Sequence, residues 1–446
     1  MPAIVICAIV LVLSYWAGRR GLAQGLVAVM IVGYFYGIVR ANILHPASHF
    51  IFDASLIGFY LSQHNWFSSS SEESARLGGL RVWLAILIGW PFLVALLPFQ
   101  PWLVTLVGLR GNTFFLPMIM VGAWLKNKDL SILSSGIAVL NLVALGFAGA
   151  EYFTSVTRFY PPSAVTSIIY ASTDAGEGFH RIPAIFSSAH AYGGSMVATL
   201  PFLIGLWTQA RSRTVKMLAI SSIMGSMLGV LLSSTRLNFV LGSAMVLSLI
   251  FAGQMGMKYR VAFVIIVVAL GVTAVSNVRF QRFKSLGDTE RVTDRVAGSV
   301  NRKFIEILVE HPMGNGLGGG GTSLPYFLQS MVRKPIGMEN EYARILCEQG
   351  VIGLLLWLSF ISWFISRAKV AFLPTQWLSS RRLAWCYCAV SVATCFIGTG
   401  ILTSIPQTAL FLLSLGWCAS MPIIASRRAD SFLTNSEYQP AYVVRQ

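Results

Sequence analysis

Apolar stretches of membrane-crossing length recur from one end of the chain to the other and leave little sequence from which a soluble core could be built. They fall at approximately 3–17, 22–39, 49–62, 80–98, 102–125, 130–149, 186–208, 217–233, 237–254, 261–277, 345–366, 385–403 and 406–424. At about 20 residues per crossing, these roughly thirteen spans use about 260 residues of the 446 and leave short connections with one long exception. Charged residues make up 11% and the mean hydropathy is +0.68, whereas soluble domains carry roughly a quarter charged residues. A soluble globular protein is excluded. The expected fold class is all-α: a polytopic transmembrane helical bundle of about thirteen spans, with a long outward loop containing an amphipathic helix.

Basic residues orient the bundle. The connections Arg19-Arg20, Lys126/Lys128, Arg211/Arg213/Lys216, Lys258/Arg260, Arg367/Lys369/Arg381/Arg382 and Arg427-Arg428 all fall on one side if the spans alternate. The positive-inside rule makes that side cytoplasmic. The N-terminus then starts outside, the tail from Ser426 ends inside, and segments 150–185 and 278–344 face outward. Segment 278–344 carries ten basic and seven acidic residues, but loops longer than about 60 residues escape the rule. Its charges are either a solvated mixed surface or, in part, a holder for an anionic ligand. The formal charge of +16 likewise suits anionic headgroups or an anionic substrate better than nucleic acid, for which no separate soluble domain exists. Ala3 to Ala17 has no basic residue ahead of it and no cleavage site, so it reads as a retained span and not a removed signal. The organisation is 1–177, N-terminal helices; 178–366, a core with outer loop 278–344; 367–424, C-terminal helices; and 425–446, a cytoplasmic tail.

Within the long loop, Val292 to Glu310 places Val296, Val300, Phe304, Ile307 and Leu308 on one side and ends before Pro312, the pattern of an amphipathic helix lying along the membrane surface. The following run, His311-Pro-Met-Gly-Asn-Gly-Leu-Gly-Gly-Gly-Gly321, lacks the GK[ST] ending and the preceding strand of a phosphate loop. It is expected to be a flexible turn leading into an outer cavity. Arg236, in Ser-Ser-Thr-Arg-Leu-Asn-Phe-Val, stands where burying a charge costs on the order of 2.5 to 3.5 kcal/mol. It either snorkels to headgroups or meets an anion. Arg110 is similar, or marks a break in its helix. Arg181, in Gly-Phe-His-Arg-Ile-Pro, sits at the outer boundary. Guanidinium groups match phosphate oxygens bidentately, and several converging on one cavity suit a pyrophosphate leaving group. Glu339, in Met-Glu-Asn-Glu-Tyr-Ala-Arg, stands at the start of a late helix, as a cap or as an acceptor of a sugar hydroxyl's proton. The six cysteines lie in or beside apolar stretches, with no disulfide or zinc pattern. Of the six histidines only His45 and His49 are four apart. No metal site and no cofactor is expected. Walker, HExxH and Ser/His/Asp patterns are missing.

The order of four stretches resembles the O-antigen ligase and polysaccharide polymerase superfamily of bacterial inner membranes. They are Arg181-Ile-Pro-Ala-Ile-Phe-Ser-Ser-Ala-His190; Ser-Thr-Arg236-Leu-Asn-Phe-Val, similar to an R-x3-L motif; Arg295 through Glu310-His-Pro-Met-Gly-Asn-Gly316; and Glu339-Asn-Glu-Tyr with Glu348-x-Gly350-x-x-Gly353. Together they cover about 178–355. The resemblance implies metal-independent glycosyl transfer, at the periplasmic face, from an undecaprenyl-pyrophosphate-linked glycan to a hydroxyl acceptor, either a growing glycan or lipid A core. By position, Arg181, Arg236 and Arg295 engage the pyrophosphate, with Arg291 a substitute for Arg295. Glu339 replaces the family's usual His as proton acceptor, with Arg236 the other catalytic position. A carboxylate of ordinary pKa near 4.3 is the weaker base, so either burial raises it or His311, Glu341 or Tyr342 does the work. Val240 stands where the motif usually has Leu.

The expectation is therefore an inner-membrane polymerase joining lipid-linked repeat units of an exopolysaccharide or O-antigen. Ligation of finished glycan to lipid A core differs only in the acceptor. A lipid-linked oligosaccharide transporter would need midplane charges and an inverted repeat, and neither is apparent; a structural membrane subunit is the remaining alternative. The expected partners are the lipid-linked glycan, the hydroxyl acceptor and membrane lipids.

Overall fold

The computed structural model describes residues 1–63, 77, 79–171, 179–251, 302–321, 324–336, 340–396, 398 and 400–421, with single residues between 261 and 283. Among them there is no strand. The principal helices are α1 (Pro2–Arg20), α2 (Leu22–Asn42), α3 (Ile51–Ser62), α4 (Leu80–Ala95), α5 (Trp102–Thr113), α6 (Met118–Trp124), α7 (Asn127–Phe153), α8 (Ala189–Gln209), α9 (Arg213–Leu232), α10 (Arg236–Phe251), α11 (Arg302–Glu310), α12 (Glu341–Ser366), α13 (Leu378–Thr394) and α14 (Gln407–Ala419). Six stretches of the described chain are long and apolar enough to cross a membrane: α1, α2, α5 with α6, α7, α9 and α12. Several apolar helices of this kind mark a membrane protein.

Several elements depart from the apolar pattern for local reasons. The stretch 102–125 is two helices, because the chain leaves α5 at Thr113 and restarts α6 after Pro117, which supplies no backbone donor. The stretch 49–62 begins as a 3-10 turn, Pro46–Phe50, with His45 Nδ1 accepting from the Ala47 amide at 3.1 Å. The stretch 385–403 is helical from Leu378 and ends at Thr394. The surface helix is described only over Arg302–Glu310; Val292 to Asn301 lie outside the described residues. In that helix Ile307 is buried, whereas Leu308, expected on the same side, is 38% exposed.

α8 is the axis of the molecule, buried from Ala191 to Leu206 and packed against α7, α9, α10, α13 and α14. Lipid gives apolar helices no hydrophobic reason to associate, so close backbone approach and polar contacts do that work. α6 and α14 show the first. A Cβ on Gly122 would lie 2.0 Å from the Leu413 carbonyl oxygen, and one on Gly416 would lie 1.7 Å from that of Ile119. Asn141 on α7 shows the second: Tyr34 on α2 donates to its Oδ1, while its Nδ2 donates to Thr199 on α8 and Ser226 on α9, each at 2.8 Å. Replacing Asn141 by leucine strands the buried Tyr34 hydroxyl and removes the bonds to Thr199 and Ser226, whose hydroxyls still donate to the Met196 and Ser222 carbonyls, and is expected to cost about 1–3 kcal/mol. Thermal unfolding in detergent should show the loss, and an unchanged midpoint would remove this contact from the account.

The connections fall into two sets. Gln63 Nε2 donates to Gly18 at 2.9 Å, and Asn127 Nδ2 to Gln376 at 3.0 Å. In the other set Asn42 Nδ2 donates to Phe159 at 2.9 Å, the Ile38 amide to Ile185 at 3.2 Å, and Gln100 Nε2 to Asn315 at 2.8 Å.

Candidate functional site

The chain before α8 is held in place from three sides. Glu151, at the end of α7, accepts the Ala184 amide at 3.0 Å; Tyr160 donates to the Ala184 and Phe186 carbonyls at 2.8 Å each; and α2 bonds Ile185. Ala184 adopts the left-handed region at φ 53°, and the bonds to either side of it hold that turn. Ser188 then caps α8, accepting the Ala191 amide at 3.2 Å. This fixed segment carries Arg181, which is 4% exposed. Its Nε donates to the Ser233 carbonyl at 3.3 Å, across 52 residues of sequence, and its other arm lies 3.1 Å from His190 Nε2. Ser233 opens the turn that starts α10 at Arg236. The turn closes on itself through Ser233 and Thr235, whose hydroxyls lie 2.8 Å apart. Gly193 on α8 admits it, since a Cβ there would meet Thr235 Oγ1 at 2.3 Å. The structure thus brings the Arg181 segment to the Arg236 turn, with Arg236 itself half-buried.

The glycine run is pinned rather than loose. α12 breaks at Gly350, whose φ of 72° and ψ of −176° lie outside what residues with a side chain readily adopt. The break releases the Cys347 carbonyl to accept the Asn315 amide, and lets the Val351 amide reach Pro312 at 2.9 Å. On the opposite side the run lies against α5, where a Cβ on Gly108 would be 2.2 Å from the Gly318 nitrogen. The His-Pro-Met-Gly-Asn-Gly and Glu-x-Gly stretches are therefore partners of one another. The glycines serve close backbone packing, which explains the departure from a flexible turn.

At the start of α12 the cap is Asn340, whose Oδ1 accepts the amides of Tyr342 at 2.8 Å and Ala343 at 3.2 Å. Glu339 lies outside the described residues, as do Arg291 and Arg295. Glu341 is fully buried; Arg344 Nε donates to it at 2.6 Å and the Gly400 amide at 3.1 Å. Tyr342 donates its hydroxyl to Val392 at 2.6 Å. Both residues are thus engaged in holding the helix, while His311 is half-buried beyond the end of α11. Arg344 also bonds Glu348 at 3.0 Å and Asn112 at 3.1 Å, and Asn112 donates to Glu348 at 2.6 Å. This buried network ties α5 to α12. Glu341, Arg344 and Glu348 recur at helical spacing on one face, a pattern visible in the sequence.

Two residues before Asn112, Arg110 meets Asp53 on α3 through two bonds, at 2.7 and 2.8 Å. Its anion is thus internal. A lone acid inside the apolar 49–62 stretch was the available signal, because charges buried in such helices are paired. Beside this pair lies a cavity of about 260 Å³ walled by Arg40, His49, Arg110, Ser187, Tyr326 and Thr403, among others. Arg40 belongs to no sequence motif, and His49 stands out in sequence only by its spacing from His45. His49 sits in the 3-10 turn, 7% exposed, with its ring against Tyr326 and Phe327.

The chain matches no protein-family model and no curated protein. What the fold and site define is an all-helical membrane protein with a cation-lined cavity, where segments far apart in sequence meet.

Proposed function

We propose that this chain is a periplasmic-face glycosyltransferase of the bacterial inner membrane, of the O-antigen ligase and polysaccharide polymerase superfamily, that polymerises undecaprenyl-pyrophosphate-linked repeat units of an exopolysaccharide or O-antigen. One observation carries the reading: the stretches that motivate the resemblance, though scattered in sequence, are joined in space. Arg181 reaches the turn before Arg236, the His-Pro-Met-Gly-Asn-Gly stretch is bonded to the break in α12, and Ser187, within the Arg181 stretch, lines the cavity.

The thirteen-span topology belongs to the proposal. It is supported by the two sets of connections, since each bonded pair joins loops, or a helix end and a loop, that alternation assigns to one side. In the reaction an acceptor hydroxyl oxygen attacks the anomeric carbon of the lipid-linked sugar while the bond to the pyrophosphate oxygen breaks. Undecaprenyl pyrophosphate leaves with the bonding pair, its charge met by Arg236 and Arg181, with Arg295 or Arg291 joining them. Glu339 takes the hydroxyl's proton.

Cells lacking the chain test this through their extracted lipid. Single repeat units on undecaprenyl pyrophosphate are expected to accumulate. Long glycans on the same lipid would instead assign the ligase reaction, and an unchanged lipid fraction would remove glycosyl transfer altogether.

A further inference from the structure

The cavity beside Asp53 and Arg110 holds more positive charge than its own walls neutralise. Arg110 is satisfied by Asp53. Arg40, at the end of α2, has no carboxylate within ion-pair distance among the described residues; its guanidinium lies over the Tyr36 ring at 5.3 Å, and its Nε is buried without a hydrogen bond. A second polar group is left in the same state. His49 is 7% exposed, its Nε2 has no partner, and its ring is fixed against Tyr326 and Phe327 at 5.9 and 5.6 Å. Its carbonyl accepts the Tyr36 hydroxyl at 3.2 Å, which ties the two sides of the wall together. Buried polar atoms without partners cost about 1–3 kcal/mol each unless a ligand or water completes them, so both groups call for an occupant.

The rest of the wall narrows its chemistry. Ser167, Ser187, Thr403 and Gln329 offer hydroxyls and an amide, and Tyr326 an aromatic side chain. At about 260 Å³ the space is smaller than the roughly 300–1,000 Å³ of sites for drug-sized ligands, and suits one ring. We propose that this cavity binds a single sugar ring bearing a carboxylate or phosphate, with Arg40 holding the anionic oxygens and His49 Nε2 a ring hydroxyl. Arg40 supplies a planar fork that fits either oxyanion, and the His49 imidazole adds a ring nitrogen for one hydrogen bond. The proposal deepens the glycosyltransferase reading and rests on it for expecting a glycan at this face; it gives that glycan an acidic sugar, recognised apart from the donor diphosphate.

The test is calorimetric titration of the purified full chain in lipid nanodiscs with glucuronate, glucose 6-phosphate, glucose and inorganic phosphate. At least one acidic sugar is expected to bind at least about tenfold more tightly than glucose and than inorganic phosphate; whether glucuronate or glucose 6-phosphate leads tells which oxyanion the site takes. Arg40→Gln should lose about tenfold or more in that affinity, and Arg40→Lys should keep part of it. Equal binding of glucose, equal binding of inorganic phosphate, no binding of either acidic sugar, or unchanged affinity in a folded Arg40→Gln each overturns the proposal. If Arg40→Gln does not fold, the ratios measured on the native chain decide. Single units accumulating in cells lacking the chain, together with no acidic-sugar binding, would sink this inference and leave the proposed function standing.

Discussion

Replacing Arg236 by alanine is expected to abolish polymer formation while the amount of protein in the membrane stays at its native level. The expected loss is large because removing one donor from a developing oxyanion costs roughly 100- to 1,000-fold in rate. Abundance should hold because the turn before α10 is closed by bonds that the Arg236 side chain does not make. Ser233 and Ser234 donate their amides to Gly229 and Leu231 at 2.9 and 3.0 Å, Phe239 donates to Thr235 at 2.9 Å, and the Ser233 carbonyl accepts from Arg181. Glycan immunoblotting beside quantified membrane protein separates the two effects. Native chain lengths in the variant would refute the pyrophosphate role.

The second large effect is on stability. Arg344→Met should destabilise the protein by about 3–5 kcal/mol, because removing one partner of a buried ion pair leaves uncompensated charge behind. Here two carboxylates are left: Glu341 and Glu348 are both fully buried, and they receive Arg344 at 2.6 and 3.0 Å. Thermal denaturation in detergent reads the loss. Adding Glu341→Gln and Glu348→Gln to the same chain should recover much of it, since the amides carry no charge. A triple variant no better than Arg344→Met would mean that packing, and not charge, is what Arg344 provides.

Helical class and the long apolar helices were legible because span length and composition are local properties. Pairing was not. Arg110 reads as an unmatched cation at depth, yet its partner Asp53 lies 57 residues away on another helix, and no spacing rule connects them. The glycine run shows the same limit: the sequence announces unusual backbone, but only the fold shows that Gly314–Gly318 is packed between the break in α12 and Gly108 on α5. Arg40 belongs to no motif in the sequence, and His49 enters only as half of the His45/His49 spacing. Their meaning lies in a cavity whose walls come from separate parts of the chain. Capping was foreseeable as a role but fell on Asn340, because its short side chain reaches the Tyr342 and Ala343 amides.

In the proposed reaction, arginines near the start of α8 and α10 grip a lipid-linked diphosphate. That grip is tested most directly by the affinity of undecaprenyl pyrophosphate for the purified chain, native and Arg236→Ala, in the same nanodiscs at fixed salt. The variant is expected to bind at least about tenfold more weakly, a difference of about 1.4 kcal/mol. Equal affinity in a variant that melts at the native temperature would contradict it.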